Sequence, residues 1–187
     1  MPFLVLTLAG LFLVWVLVVF NKLVRLRNRA AGSWSDIDVQ LKKRHDLVGN
    51  LVEAVKEYAH HERRVLEKVA AARTTAEGAR TTGGPGEAGS AESTLSGEMG
   101  RLFALVEAYP DLKASEQFGS LQASLAEVED DLQNARRYYN AVVRDFNTRI
   151  QSFPDLLVAR SLGFREREFF SLDDRGEAAV PRVELGP

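Results

Sequence analysis

The sequence contains no cysteine in its 187 residues, and proline is scarce, at six residues. The absence of cysteine excludes disulfide bonds, thiolate nucleophiles and cysteine-ligated zinc sites, and it is consistent with a reducing compartment. The alternation of apolar and polar residues that is typical of a half-buried strand is missing as well. Because helix-forming residues dominate and no proline lies between Asn21 and Arg73, we expect an all-α fold.

A long apolar run lies near the N-terminus, where Phe3–Phe20 reads FLVLTLAGLFLVWVLVVF with no charged side chain. These 18 residues would span roughly 27 Å as a helix, close to the hydrocarbon thickness of a bilayer. We therefore predict a transmembrane anchor over residues 1–22 and one helical domain over residues 23–170. A cleaved signal peptide is the alternative, but the run has no basic segment before it and no small-x-small site after it.

Basic residues cluster directly after the apolar run. Lys22, Arg25, Arg27 and Arg29 all precede the first acidic residue, Asp36. By the positive-inside rule, this cluster predicts an N-terminus outside the membrane and a domain in the cytoplasm. The same side chains favour anionic lipid headgroups, at about 1 kcal/mol per basic residue near the surface. Their place beside a membrane span makes lipid a better partner than nucleic acid.

Two long segments carry apolar residues at alternating spacings of three and four, the pattern of a helix packed along one face. The first stripe consists of Ile37, Leu41, Val48, Leu51, Val55, Tyr58, Val65, Val69 and Ala72. The second consists of Phe118, Leu121, Leu125, Val128, Leu132, Ala135, Tyr139, Val142, Phe146, Ile150 and Phe153, and Pro154 ends it. Together they predict an elongated antiparallel helical bundle after the single transmembrane helix, with shorter helices filling in.

Two polar residues, Arg44 and Glu62, fall on the first stripe, where an unpaired charge would be costly. Arg44 either lies at the edge of the bundle with its charge in water or forms a buried pair with a carboxylate such as Glu129. Both interpretations are structural. We expect the membrane helix either to continue into the first bundle helix or to break at Gly32–Ser33, with Ser33 as an N-cap.

Residues 74–97 are small, polar and rich in glycine, without an apolar period, and predict a flexible loop between helices. The loop contains GPGEAG at 84–89, which matches G-x-G-x-x-G. No strand precedes this match and proline occupies the turn, so it does not indicate a nucleotide site. A short helix is expected from Leu95 to Tyr109. The polar tail at 171–187 is predicted to be disordered.

No set of residues amounts to an active site or a metal site. His60 and His61 are adjacent, so on a helix they point about 100° apart and cannot easily ligate one ion. The segment also fails the H-E-x-x-H zinc pattern, because Val65 stands where the second histidine belongs. Carboxylates do not converge and no nucleophile motif is present. We therefore predict no enzymatic activity, no cofactor and no small-molecule substrate.

Six segments have sequences that are specific enough to indicate a protein family. They are WSDIDVQLKKRHDLVGNLV at 34–52, YAHHE at 58–62, LEKVAAAR at 66–73, LFALVEAYPDLKASEQF at 102–118, ARRYYNAVVRDFNTRIQSFP at 135–154 and LGFREREFF at 162–170. In this order they resemble the LemA family of bacterial membrane-anchored helical proteins. The resemblance implies one N-terminal span in the inner membrane and a cytoplasmic bundle. The residues singled out as structural are Trp34, Ile37, Leu41, Arg44, Leu51, Glu62, Tyr139, Phe146 and Pro154.

Two positions depart from the family pattern. Gly49 stands where the family typically has proline, so a family kink is softened here. His45 stands where an aromatic residue is usual, which favours a packing role over a role as a ligand.

These features lead to a main hypothesis and two alternatives. The main hypothesis is a scaffold at the cytoplasmic face of the membrane that acts through helix-mediated contacts, including coiled-coil self-association into a homo-oligomer. The second hypothesis is an adaptor or regulator of a membrane-bound protease or sensor, because the resemblance extends to proteins encoded beside membrane metalloproteases. It also extends to a magnetosome membrane protein. The third is an enzyme or metal-binding domain.

Overall fold

A computed structural model describes residues 2–59 and 61–171 of the chain. All regular structure in these residues is helical, which confirms the all-α fold. The six helices are α1 (Pro2–Tyr58), α2 (Arg63–Thr82), α3 (Pro85–Val106), α4 (Pro110–Lys113), α5 (Glu116–Gln151) and α6 (Asp155–Ser161). The tail predicted to be disordered lies outside the described residues, except for Ser171. His60, one of the two adjacent histidines considered as metal ligands, lies outside them as well.

The described residues divide into two compact units. Residues 2–43 and 127–169 form the first, which we call the anchor unit because it contains the apolar run. Residues 44–126 with 170–171 form the second, which we call the hairpin unit because α2 and α3 pack against each other within it. Helices α1 and α5 each contribute residues to both units.

The hairpin unit has an apolar core to which five helices contribute. The first stripe supplies Val48, Leu51 and Val55 from α1, all without solvent exposure, and Leu102 of α3 and Leu112 of α4 are equally buried. Phe118 and Leu125 of α5 complete the same core. Most large apolar residues of both stripes in this unit therefore pack inside the chain, as their spacing predicts, whereas Tyr58 of the first stripe is 43% exposed.

The flexible loop predicted over 74–97 is wrong. α2 continues to Thr82 and α3 begins at Pro85, so only Gly83 and Gly84 separate the two helices. Alanine takes the place of larger apolar residues on the packed faces. The buried small residues are Ala72, Ala76 and Ala79 of α2 and Ala88 and Gly89 of α3. Pro85 occupies the first turn of α3, where its missing N–H costs nothing.

The threonines of α2 contributed to the incorrect loop prediction, but their side chains are compatible with a helix. Thr74, Thr75 and Thr82 each donate a hydroxyl hydrogen bond to the carbonyl four residues earlier, at 3.0–3.1 Å. This bond satisfies the hydroxyl on the helix surface without interrupting the backbone ladder. Composition alone therefore gave the wrong secondary structure here.

The break proposed at Gly32–Ser33 is absent from α1, which is continuous from Pro2 to Tyr58. Ser33 does not cap a helix. Its hydroxyl donates to the carbonyl of Ala30 at 3.1 Å, inside the helix. The chain leaves the helical conformation later, after Tyr58, and α2 begins only at Arg63. The first stripe therefore belongs to two helices, and Glu62 lies half-buried immediately before α2.

The anchor unit packs the end of the apolar run against the last part of the chain. Val19 and Leu23 of α1 share a core with Phe146 and Ile150 of α5 and with Val158 and Ala159 of α6. Phe164 and Trp15 are partly buried against this core. Phe153, which was assigned to the second stripe, is instead 80% exposed, because α5 ends at Gln151 and the chain turns before Pro154. Gly163 follows α6 with a positive φ of 72°, which suits a helix C-terminus.

Candidate functional site

The N-terminal part of α1 exposes nearly all of its apolar surface. Phe3 is 83% exposed and Phe12 is 64% exposed, whereas Val19, at the end of the run, is 3% exposed. Only 6% of the most apolar 18-residue window is buried within the chain. Uncovered apolar surface on this scale is unfavourable in water, and a helix that is apolar on all sides matches the hydrocarbon of a bilayer. The segment therefore indicates membrane anchoring.

A basic cleft lies directly after this apolar segment in the anchor unit. Its volume is about 700 Å³. Lys22, Arg25 and Arg29 line it from α1, and Arg144 and Arg149 line it from α5. The two α5 arginines were not identified from the sequence, because only the fold brings them beside the basic residues at 22–29. Their approach converts a run of basic residues into a two-walled concave surface, which is where a phosphate or carboxylate group would meet several cations at once.

Two acidic residues, Asp145 and Asp155, also line the cleft. Arg149 and Asp155 form an ion pair, with 2.8 Å between Nε and Oδ2. This pair connects the end of α5 to the first turn of α6. With five basic and two acidic side chains on its walls, the cleft carries a net positive charge.

Arg27 faces a different part of the anchor unit from the other three predicted basic residues. Its guanidinium lies 5.8 Å from the centre of the Phe164 ring, within the range of a cation–π contact. Phe164 also contacts the rings of Phe20 and Phe146 edge to face, at 6.1 and 6.3 Å. Arg27 therefore contributes to the packing of the segment after α6, while Lys22, Arg25 and Arg29 line the cleft.

The segment after α6 is held on α5 by hydrogen bonds between α5 side chains and the backbone of the segment. Asn147 donates to the carbonyl of Arg167 and accepts from the N–H of Arg167, both at 2.9 Å. The Tyr139 hydroxyl donates to the carbonyl of Glu168, also at 2.9 Å. Burial raises the pKa of the Tyr139 phenol above its usual value, against the opposing effect of the Arg167 charge. The centres of the Trp34 and Tyr139 rings lie 5.6 Å apart, with the two rings tilted by 54°.

A buried cluster of charged side chains occupies the hairpin unit. Arg44 Nη1 lies 2.6 Å from Glu92 Oε2, and His45 Nε2 lies 2.6 Å from the other carboxylate oxygen of Glu92. None of these three residues is more than 2% exposed. Arg44 also donates to the Ser96 hydroxyl at 2.7 Å, and Arg73 donates to the carbonyl of His45 at 2.6 Å. The cluster thus joins α1 to α3 and to α2.

Of the two interpretations of Arg44, the buried ion pair is the one found here, and its carboxylate in this unit is Glu92, which the sequence analysis did not name. Glu92 occupies a position of α3 that faces the core, between Ala88 and Leu95. It was overlooked because the segment around it was assigned to a loop. His45 is buried and contacts a carboxylate, so it fills the core position expected for an aromatic residue and carries a polar contact as well. The cluster is enclosed, and its geometry fixes the register of helices.

The other residues singled out in the sequence are dispersed. Ile37, Leu41, Leu51, Tyr139 and Phe146 are at most 1% exposed, and Trp34 is half-buried. Pro154 is exposed at the corner before α6. His61 is exposed, and no group of three metal-ligating side chains occurs within residues 2–59 and 61–171.

Comparison with known sequences places these features in context. The profile described as LemA family matches residues 33–185, most of the chain. A relative from Paramagnetospirillum magneticum, magnetosome protein MamQ 2, is 26% identical over 93% of this chain and 72% of its own length. Magnetosome protein MamQ of Magnetospirillum gryphiswaldense is 25% identical over 90% of this chain and 71% of its own. Protein LemA of Metamycoplasma hominis is 26% identical over 88% of this chain and 74% of its own length.

Proposed function

This chain belongs to the LemA family, and we propose that it is a structural protein of the bacterial inner membrane that acts by contact with other proteins, including copies of itself. The observation that carries the proposal is the exposed apolar segment of α1, which continues without interruption into a helical domain. Relatives named as magnetosome proteins support a role in a cellular assembly.

The proposed topology has the N-terminus outside and the helical units in the cytoplasm. The support is the basic cluster at Lys22, Arg25, Arg27 and Arg29, which begins two residues after the apolar run and is exposed in the structure. Basic residues close to the end of a span are retained on the cytoplasmic side during insertion.

The burial of the apolar stripes supports a particular site for the proposed self-association. Most residues of the apolar stripes that could have formed an intermolecular coiled coil are buried inside the chain, with Val48, Leu51 and Leu132 at most 1% exposed. Among the described residues, the largest apolar surface that remains exposed is the α1 segment from Phe3 to Val18. Contacts between copies would therefore use the membrane-embedded part of α1, where helices associate by close packing of side chains.

The test measures the mass of the full-length protein in detergent or nanodiscs by light scattering, beside a fragment of residues 28–171 that lacks the apolar segment. We expect a defined oligomer of the full-length protein and a monomeric fragment. A monomeric full-length protein at high concentration would contradict self-association. Crosslinking in cells, followed by mass spectrometry, would then decide whether the protein acts as an adaptor for another membrane protein, such as a protease.

A further inference from the structure

We propose that residues 153–162, which form the corner between α5 and α6, are a second membrane contact. This contact places apolar side chains in the interfacial zone and an anionic phospholipid headgroup in the basic cleft. This inference rests on the proposed anchor, because α1 sets the depth of the corner. It goes beyond that anchor by assigning a lipid-binding role to residues near the other end of the chain.

The depth of α6 follows from its packing. Val158 and Ala159 on its inner face share a core with Val19 and Leu23, and Trp15 is partly buried against the same core. These α1 residues lie at the end of the apolar run and just beyond it. Val19 to Leu23 covers roughly 6 Å along the helix, comparable to the roughly 5–8 Å of one headgroup zone. When Phe3–Val18 lies in hydrocarbon, α6 lies at the membrane–water boundary.

The outer face of the corner is apolar and uncovered. Phe153 is 80% exposed, Leu157 is 58% exposed and Leu162 is 51% exposed. All three flank or belong to α6, while the inner face of the same helix is buried. Large apolar side chains next to basic residues are the composition of segments that lie in the plane of a bilayer interface. Phe153 and its neighbours therefore have a natural environment among the acyl chains and glycerol groups.

The cleft adds the charge that such a surface needs. Phe153 and Pro154 line the same cleft as Lys22, Arg25 and Arg29. A soluble anion would use the cations but would leave the aromatic ring in water. An anionic phospholipid satisfies both, because its phosphate meets the basic side chains and its acyl chains meet Phe153. The joint presence of cations and exposed apolar groups therefore favours a lipid as the occupant.

The depth of the corner can be measured on the full-length chain, since the sequence has no cysteine and any introduced thiol is unique. Spin labels at Leu157→Cys and Leu162→Cys are compared with labels at Phe12→Cys in the anchor and at Gln133→Cys on the exposed face of α5. All four are reconstituted into nanodiscs that contain phosphatidylglycerol. We expect the labels at 157 and 162 to be accessible to oxygen and protected from a water-soluble nickel reagent, like the label at 12. The label at 133 should show the reverse.

The outcomes separate this inference from the proposed function. Labels at 157 and 162 that are as open to the nickel reagent as the label at 133, with position 12 in lipid, would overturn the second contact and leave the anchor intact. A water-accessible label at 12 would overturn the anchor itself.

The headgroup is tested with a variant in which Lys22, Arg25 and Arg29 are all replaced by Gln. Its control replaces three exposed basic residues of α2, Arg63, Arg64 and Lys68, by Gln and so changes the net charge equally. Anionic lipid retained after mild detergent extraction is quantified by mass spectrometry. We expect the amount of retained anionic lipid to fall at least about fivefold in the cleft variant, which is the effect of losing one basic residue near an anionic surface. The control variant should retain nearly as much lipid as the wild type. Equal losses would show general charge attraction and overturn the headgroup site. Far-UV circular dichroism verifies that both variants retain their helices.

Discussion

Arg44 and Glu92 are 48 residues apart in sequence and form a buried ion pair, with 2.6 Å between Nη1 and Oε2. The pair connects α1 to α3 within the hairpin unit. A buried pair contributes little net stability compared with apolar residues of the same size, but removal of one partner leaves a charge in the core. The pair therefore acts mainly on register, since a shift of α3 along α1 would separate the two charges.

We predict that Glu92→Leu destabilises the protein by about 3–5 kcal/mol, because the buried Arg44 guanidinium and the buried His45 ring both lose the Glu92 carboxylate. The double variant Arg44→Met with Glu92→Leu should recover part of this loss, because it removes the guanidinium but still leaves the His45 ring without its carboxylate contact. Chemical denaturation in detergent, followed by circular dichroism, measures both. Glu53→Gln is the control, because Glu53 pairs with Lys56 on the surface and both side chains are largely exposed. A single variant no less stable than this control would contradict the buried pair.

Two glycines of α3 should respond in opposite ways to alanine. A Cβ at Gly89 would clash with the carbonyl oxygen of Ser171, whereas a Cβ at Gly97 would meet nothing within 4 Å. We expect Gly89→Ala to cost about 1–3 kcal/mol through displacement of the segment at 170–171. Gly97→Ala should add about 0.5–1 kcal/mol, because alanine is the better helix former.

Thermal unfolding of the two variants in detergent checks this pair of expectations, and each serves as the control for the other. Gly97 lies in the segment that composition assigned to a loop. If Gly97→Ala leaves the stability unchanged, α3 would not be helical at that position.

The sequence predicted the features that depend on large apolar residues. The uncharged run at Phe3–Phe20 and the spacing of Leu51, Val55 and Phe146 each depend on side chains whose burial stabilises a helix. The same reasoning failed at 74–97, where Ala76, Ala79 and Ala88 form the packed faces. Alanine is a strong helix former but contributes little to a hydrophobic pattern, and the nearby glycines and threonines outweighed it.

Only some residues of the candidate sites could be identified from the sequence, for a related reason. Lys22, Arg25 and Arg29 could be identified because they are close in sequence. Arg144 and Arg149 lie more than a hundred residues later and reach the cleft only through the packing of α5 on α1. Likewise, no local signal marks Glu92 as the partner of Arg44. Pairings between distant helices are decided by tertiary packing, which a single sequence does not display.

Tyr139 links stability to pH at the alkaline end. Burial raises the pKa of its phenol above 10.0 in the folded state, so its contribution to stability is present below pH 10 and is lost as pH rises through the folded-state value. Tyr139→Phe removes the hydrogen bond to Glu168 and should cost about 1 kcal/mol at neutral pH. We expect the difference in melting temperature between wild type and variant to shrink above pH 10. A constant difference would show that Tyr139 does not titrate with unfolding.

The proposed topology can be tested with unique thiols. Thr75→Cys lies on the exposed face of α2, and a cysteine inserted between Met1 and Pro2 reports the other side of the membrane. In spheroplasts, a membrane-impermeant maleimide should label the inserted cysteine and leave Thr75→Cys unlabelled until the cells are lysed. The physical reason is the basic cluster that begins at Lys22, directly after the apolar run. Labelling of Thr75→Cys in intact spheroplasts would reverse the orientation. It would also place the basic cleft against the outer leaflet, where the same lipid chemistry would have to be sought.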